Sequence, residues 1–355
     1  MDKLQNLYDT WLSLQPLDER KQYLLSQRFS VDYNYNSNHI EGNTLTYGQT
    51  ELLLLFGKVV GEGDLKDFVD MKASQVGVKI MVEESRLKEH PLTQNFIRQL
   101  HKTLLREDYT VYRQLPGGIT TSYTVHAGQY KTRPNSVITR YGDRFEYASP
   151  EETPALMTSL VDWYNEAEQS GKYTPVELAA LFHYRYIRIH PFEDCNGRIA
   201  RLMVNYILAR HDWPMIVVRS RKKHEYIEAL HQSDVEIGPI PSVGANAGIS
   251  QIRHFLKYFR GLVADELKYN IEFVSETSPN VWWYDGQRIV FRSQSTPVLL
   301  KSMQEKPDIT IEGLAMSAGI SVAAVNKQLR QLLNKGYIQR SESDGSWRIF
   351  ASSSI

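Results

Sequence analysis

His190-Pro191-Phe192-Glu193-Asp194-Cys195-Asn196-Gly197-Arg198-Ile199-Ala200-Arg201 joins two stretches of helical patterning, Pro175 to Ile189 and Gly197 to Arg210. Pro191 breaks the first, while Ile199, Met203, Tyr206 and Ile207 share one face of the second, so the centre of the chain reads as helix, loop, helix. Asn196 stands where an N-cap belongs, and the unpaired backbone N–H groups of a helix starting at Gly197 form a ready anion site. Arg198 and Arg201 leave the same face of the first turn and can embrace a polyphosphate together. Asp194 adds one carboxylate, which suits Mg²⁺, an ion that takes one or two protein carboxylates besides waters and phosphate oxygens. His190 closes the preceding helix with a side chain that titrates near neutrality and can take a proton from a hydroxyl attacking the bound phosphate. Phe192 is expected to point inward and anchor the loop. Taken singly, the histidine reads as a packing residue and the arginines as a solvated face; fixed spacing of all of them together argues for a site.

Working outward, the first hundred residues are mostly helical in pattern: Leu4 to about Phe29, Glu51 to Lys58, and Asp70 to Lys88. From about 115 to 150, Gly117, Gly118, Gly128, Pro134, Gly142 and Pro150 punctuate short runs rich in Val, Thr and Tyr. Val137 to Arg140 and Arg144 to Tyr147 flank Tyr141-Gly142-Asp143, which predicts a β-hairpin. Helical patterning returns at Thr153 to Glu168 and again near Ile252 to Leu267. Ile311 to Ala318 and Ser321 to Lys335 have the texture of a helix-turn-helix, with Ser321 as cap, Val322, Val325, Leu329 and Leu332 as buried stripe, and Gly336 as stop. Tyr337 to Arg340 and Trp347 to Phe350 then alternate around Asp344-Gly345, a hairpin signal.

At 355 residues the chain has length for two or three domains. Forty-one Lys plus Arg balance forty-one Asp plus Glu, so no global charge draws it to nucleic acid or acidic lipid. The single cysteine forms no internal disulfide. No leader or long apolar run stands out, so a cytoplasmic protein without a membrane partner is expected.

The stretch from His190 to Arg201 closely resembles the signature of the Fic family, HPFx(D/E)GN(G/K)RxxR. Most members transfer AMP from ATP to a hydroxyl of a target protein. The resemblance implies that His190 is the general base, Asp194 the Mg²⁺ ligand, Asn196 and Gly197 the anion cradle, and Arg198 and Arg201 the triphosphate clamp. Attack by a Ser, Thr or Tyr hydroxyl on the α-phosphate would expel pyrophosphate. Cys195 departs from the family's glycine. With φ above zero its Cβ strains the turn and crowds the phosphate; alternatively, its thiol is a nucleophile at a helix N-terminus.

Asn36-Ser37-Asn38-His39-Ile40-Glu41-Gly42-Asn43-Thr44-Leu45-Thr46 taken alone reads as a short capped helix. It also resembles the family's inhibitory motif (S/T)xxxE(G/N), on Ser37, Glu41 and Gly42. That resemblance pairs Glu41 with Arg201, making inhibition act in cis, and leaves removal of AMP open as a second activity. The hairpin from Val137, Ile138 and Thr139 to Tyr147 resembles the family's flap, which lines up the target's side chain, and Gly128 to Arg133 resembles the segment before it. Tyr226 and Leu230 are weak candidates for the adenine or ribose contact. The C-terminal segment resembles a winged helix often found after this catalytic domain; Asn326, Lys327, Arg330 and Gln331 would face a DNA groove, or the module contacts protein instead.

The expected fold is therefore mainly α, a Fic-type helical core with a β-hairpin flap plus a C-terminal α+β winged helix-turn-helix domain. The expected domains are an N-terminal helical region with the inhibitory motif (1–95), a Fic catalytic domain (96–270), a linker (271–295) and the winged helix (296–355). The function expected is a Mg²⁺-dependent protein adenylyltransferase using ATP on a hydroxyl-bearing protein, with a homodimer expected only from family habit. The alternative is a nucleotide-responsive winged-helix transcriptional regulator with weak or no transferase activity.

Overall fold

The computed structural model describes residues 3–114, 120–138, 142, 144–342 and 345–350. In chain order these form α1 (Lys3–Ser13), α2 (Glu19–Ile40), α3 (Tyr47–Phe56), α4 (Leu65–Ser85), α5 (Gln94–Leu105), β1 (Tyr109–Gln114), β2 (Thr120–Val125), β3 (Ser136–Ile138), β4 (Arg144–Glu146), α6 (Thr153–Ser170), α7 (Pro175–Ile189), α8 (Asn196–Arg210), α9 (Lys223–Ile237), α10 (Pro241–Ala245), α11 (Arg253–Ser275), β5 (Val281–Tyr284), β6 (Gln287–Val290), α12 (Ser295–Glu305), α13 (Ile311–Ala318), α14 (Val322–Asn334), β7 (Ile338–Arg340) and β8 (Trp347–Ile349). Consecutive strands pair as antiparallel two-stranded ribbons. The fold is mainly α, as the sequence predicts. Two compact units divide the chain. One holds Asn36–Asn43 and Val69–Asp265; the other holds Gln5–Tyr35, Thr44–Phe68 and the chain from Glu266 onward.

In the first unit, α7 and α8 form the centre. Thr174 and Glu177 start α7 as a reciprocal capping box with Pro175 in the first turn, an arrangement that satisfies two otherwise orphaned N–H groups. Both helices are buried nearly all round, polar residues such as Arg188 and Asn205 included: Leu178, Ala179, Leu181, Phe182 and Ile189 on α7, and Ile199, Leu202, Met203 and Ile207 on α8, are at most 2% exposed. The loop between them takes a left-handed residue at each end, His190 (φ 51°) and Cys195 (φ 67°).

That geometry corrects the expected helix start. Cys195 occupies the N-cap position and Asn196 is the first helical residue. Asn196 does not cap, because its side chain is spent inside the loop: Oδ1 accepts from the Phe192 N–H at 3.0 Å and Nδ2 donates to the Phe192 carbonyl at 2.7 Å. Phe192 is fully buried, as expected. The predicted hairpin is present as β3 and β4, with Val137 opposite Phe145. Thr139, Arg140, Tyr141 and Asp143 lie outside the described residues, as do Gly117 and Gly118.

The N-terminal pattern resolves differently from its reading. Leu4 to Phe29 is not one stretch but the helix α1 and the start of α2, interrupted around Pro16, which removes a backbone donor. α2 then runs for 22 residues to Ile40. Ser37 therefore sits in the last turn of a long helix, not in a short capped one, and Gly42 follows with φ 97°.

In the second unit, Thr310 and Ser321 cap α13 and α14, each accepting from an N–H three residues on. Val325, Leu329 and Leu332 of α14 join Leu299, Leu300, Met303, Leu314, Ile338 and Trp347 in one apolar cluster, while the predicted stripe member Val322 is 41% exposed at the helix start. Residues 271–295, expected to be a linker, carry the end of α11 and the β5–β6 hairpin. Trp282 and Tyr284 of that hairpin are buried in the same cluster. Asp285 and Gly286 make its turn with φ of 43° and 67°, a sequence signal for a tight hairpin that goes unread when the stretch is taken as linker. Asp344 lies outside the described residues. Lys327, Arg330 and Gln331 are exposed on α14, and Asn326 is half-buried. No described helix is long and apolar enough to cross a membrane.

Candidate functional site

The α7–α8 loop gathers the signature side chains within the first unit. His190 ends α7 in the left-handed region, its N–H donating to the Tyr186 carbonyl at 2.9 Å. For a residue with a Cβ that conformation costs ~1–2 kcal/mol, so surrounding contacts must hold it. Its ring stacks on Tyr147 at 3.9 Å between centroids and 14° between planes. Nδ1 is buried and meets no partner among the described residues. Burial, assisted by the nearby Lys131 charge, pushes the His190 pKa down to about 3. The imidazole is therefore neutral at pH 7 and ready to accept a proton.

Asp194 faces outward, its side chain 45% exposed. Oδ2 accepts from the Tyr109 hydroxyl at 2.6 Å and Oδ1 from the Cys195 N–H at 2.5 Å. Its carbonyl meets His101 Nε2 at 3.3 Å, while His101 Nδ1 accepts from the Gly128 N–H at 2.9 Å. The second bond fixes the tautomer: with Nδ1 accepting, the proton sits on Nε2 and is donated to Asp194. Burial pushes the His101 pKa down to about 4, so this ring too is neutral, and it stacks on Phe192 at 3.8 Å.

Arg198 and Arg201 are 7% and 3% exposed. Arg198 lies 3.9 Å from Asp70 and 4.0 Å from Asp194, long contacts that leave its Nε buried without a partner among the described residues. An orphaned guanidinium N–H beside a helix N-terminus fits an anionic guest. Arg201 is engaged instead. Its Nε donates to Ser37 Oγ at 3.0 Å, and its NH2 donates to the Ser37 carbonyl at 2.9 Å and to Glu41 Oε1 at 2.7 Å. Gly197 permits that approach, since a Cβ there would run into the Glu41 carboxylate. The end of α2 is tied to the start of α9 and the residue stretch before it as well: the Ser220 N–H donates to Asn36 Oδ1 at 2.7 Å, and Lys223 Nζ to the Ile40 carbonyl at 2.6 Å.

Beside the loop lies a cavity of about 610 Å³, lined by Val137, Ile138 and Tyr147 of the flap region and by Lys223, Leu230 and Asp234 of α9. Leu230 thus lines it, whereas Tyr226 is core, its hydroxyl 2.9 Å from His183 Nε2. The thiol of Cys195 is buried and its pKa is pushed up to about 12 by burial, which argues against the nucleophile alternative because a protonated thiol is a poor one. Its φ of 67° fulfils the condition for backbone strain at that position.

For Mg²⁺, among the described residues no three His, Cys, Asp or Glu side chains gather into a cage. A single, half-exposed carboxylate is the donor set of an ion that draws its other ligands from water and phosphate, so Asp194 fits. Sequence reading missed Tyr109, His101 and Asn135, and placed Lys131 in the pre-flap segment and Tyr147 at the end of the hairpin without a role for either side chain. His101 alone left a trace: it falls on the buried face of α5 with Phe96, Ile97, Leu100 and Leu104, a polar residue in an apolar stripe.

Two left-handed residues flanking a loop, a neutral histidine, one carboxylate and two buried arginines make a candidate anion site on a mainly α protein. Comparison with known proteins makes this specific. The Fic/DOC family profile matches residues 91–208 and the MarR family profile residues 293–350. A Fic-domain-containing signaling protein from Bacteroides thetaiotaomicron aligns with TM-score 0.72 and 50% identity, covering 78% of this chain and 98% of its own. The chain belongs to the Fic family. Protein adenylyltransferase fic-1 of Caenorhabditis elegans is 29% identical over 204 residues, 57% of this chain and 36% of its own length. Protein adenylyltransferase Fic of Nematostella vectensis is 28% identical over 200 residues, 56% of this chain and 42% of its own. The chain thus spans well under half the length of these curated relatives.

Proposed function

We propose that the protein is an autoinhibited adenylyltransferase that moves AMP from ATP to a Ser, Thr or Tyr hydroxyl of another protein. The observation carrying this reading is the convergence of a neutral His190, Asp194, Arg198 and Arg201 on one loop at the start of α8. The hydroxyl oxygen attacks the α-phosphorus, a new O–P bond forms, and the bond from that phosphorus to the α,β-bridging oxygen breaks with its electron pair leaving on pyrophosphate. His190 takes the hydroxyl proton. Arg198 and Arg201 neutralise the β- and γ-phosphates, and the first backbone N–H groups of α8 face the developing negative charge. Mg²⁺ held by Asp194 would supply further neutralisation of the phosphate oxygens. The cavity beside Leu230 has room for the nucleobase, and the exposed flap residues Val137 and Ile138 offer a strand edge to the target's backbone.

The bond from Arg201 to Glu41 supports the inhibitory role: it occupies one arm of the clamp and places a negative charge where the γ-phosphate would bind. A chain with a single cysteine fits a reducing cytoplasmic compartment. Intact mass after incubation with Mg²⁺ and ATP tests the reading. Glu41→Gly should gain one AMP or pass it to lysate proteins, and Glu41→Gly/His190→Ala should not. A Glu41→Gly protein that binds ATP and transfers nothing would refute the proposal and favour nucleotide sensing coupled to the MarR-like module.

A further inference from the structure

A segment outside the signature grips every carbonyl of the turn that carries His190. Lys131 is 3% exposed, and its ammonium donates to the carbonyls of Ile189 at 3.1 Å and His190 at 2.9 Å and to Asn135 Oδ1 at 2.8 Å. The Lys131 N–H donates to the Pro191 carbonyl at 2.9 Å. Asn135 Nδ2 donates to the Phe192 carbonyl at 2.9 Å. Four successive carbonyls, 189 to 192, are thus satisfied by two residues, while Thr132 Oγ1 donates to Glu193 Oε1 at 3.0 Å beside them.

The turn needs such support. The last carbonyls of α7 have no partner within the helix, and His190 holds a left-handed conformation that its Cβ disfavours. Burial pushes the Lys131 pKa down to about 7, and the three acceptors, one for each proton, are what hold its ammonium there. Its charge also lies at the helix C-terminus, where a cation is favoured. None of these atoms takes a part in the chemistry proposed above, yet they fix the backbone from which the imidazole projects.

We propose that Lys131 and Asn135 are a positioning pair that locks the His190 turn and so aims the imidazole at the attacking hydroxyl. This rests on the reading of His190 as the base. Arginine is not an equivalent, because its longer, planar guanidinium would have to enter a buried space that holds a compact ammonium.

The test places Lys131→Met, Lys131→Arg and Asn135→Ala in the Glu41→Gly background. It measures ATP affinity by calorimetry with Mg²⁺, initial rates of AMP transfer, and the His190 titration by NMR of ¹³C-labelled imidazole. Lys131→Met should lower kcat at least ~10-fold with the ATP Kd within ~2-fold, since aim rather than nucleotide binding is lost. Lys131→Arg should not restore kcat, and Asn135→Ala should lower it ~2–5-fold. The His190 titration should move upward in Lys131→Met as the neighbouring positive charge is lost. Unchanged kcat and an unmoved titration would overturn the proposal, as would a kcat loss matched by an equal loss of ATP affinity. Should Lys131→Met fail to fold, Asn135→Ala decides: reduced kcat at constant Kd supports the pair, and unchanged kcat overturns it. If the Glu41→Gly parent transfers no AMP, the adenylyltransferase reading fails by itself, and a crystal structure of Lys131→Met judges the clamp: a displaced His190 turn supports it and an unmoved one overturns it.

Discussion

Replacing Glu41 tests the brake quantitatively. Its Oε1 lies 2.7 Å from Arg201 NH2, with Arg201 3% and Glu41 40% exposed at their side chains. A charge-assisted bond to a buried guanidinium contributes ~1.5–3 kcal/mol, and the exposed carboxylate pulls this toward the lower half, ~1.5–2 kcal/mol, through screening. At ~1.4 kcal/mol per tenfold, releasing Arg201 should therefore raise the population able to bind the triphosphate ~10–30-fold. Arg201 stays in place when Glu41 is removed, since Ser37 still accepts from its Nε and NH2. Glu41→Gly should accordingly raise the initial rate of AMP incorporation from ATP labelled at the α-phosphate by ~10–30-fold. Glu41→Gln keeps the reach but loses the charge, and a neutral bond is about half as strong, so its rise should be ~3–5-fold. Rates within twofold of wild type for Glu41→Gly, or a larger rise in Gln than in Gly, would refute the argument that the charged bond is the brake.

Asn36→Ala should loosen the end of α2; losing its bond from the Ser220 N–H, worth ~1 kcal/mol, predicts a rate rise of up to ~5-fold in the same assay. Acid should destabilise the fold early. His101, His183 and His190 have pKa values of about 4, 3 and 3 in the folded chain, against ~6.5 when unfolded, so the unfolded state binds more protons between pH ~6.5 and ~3. Stability is then fully present above pH ~6.5 and declines below it by up to ~1.4 kcal/mol per pH unit for each histidine; thermal melts flat from pH 7 to 4.5 would contradict this. Trp282→Ala, which empties a buried site in the second unit's cluster, should cost ~3–5 kcal/mol in denaturant unfolding of that unit. Lys327→Glu with Arg330→Glu should abolish any salt-dependent binding of duplex DNA by the MarR-like segment, and binding that survives both would place the contact elsewhere.

Chemistry carried by side chains at fixed spacing could be read from the sequence. His190, Asp194, Arg198 and Arg201 sit within one loop and the first turn of one helix, so the chain itself brings them together. The cap at Ser321 and the stripe Val325, Leu329, Leu332 were legible for the same reason: each depends on neighbours three or four residues away. The Asn196 cap was misread because the competing partner, the Phe192 backbone, becomes available only when the loop turns left-handed at both ends. The 281–290 hairpin was passed over although Asp285-Gly286 announced its turn, since short aromatic strands declare themselves only through what they bury.

By itself, then, the sequence determined a mainly α chain, the placement of the signature residues around one broken helix pair, and a C-terminal winged helix. Tertiary structure alone decided how far the His190 pKa falls below its ordinary value, because that follows from burial and the charge of Lys131, 59 residues earlier. It decided that Arg201 meets Glu41 across 160 positions, at a distance that resemblance could suggest but not supply. It also decided that Lys131 and Asn135 hold the turn. Local periodicity encodes which residues share a face, whereas desolvation, charge proximity and the satisfaction of orphaned carbonyls depend on distances that exist only after the chain has packed.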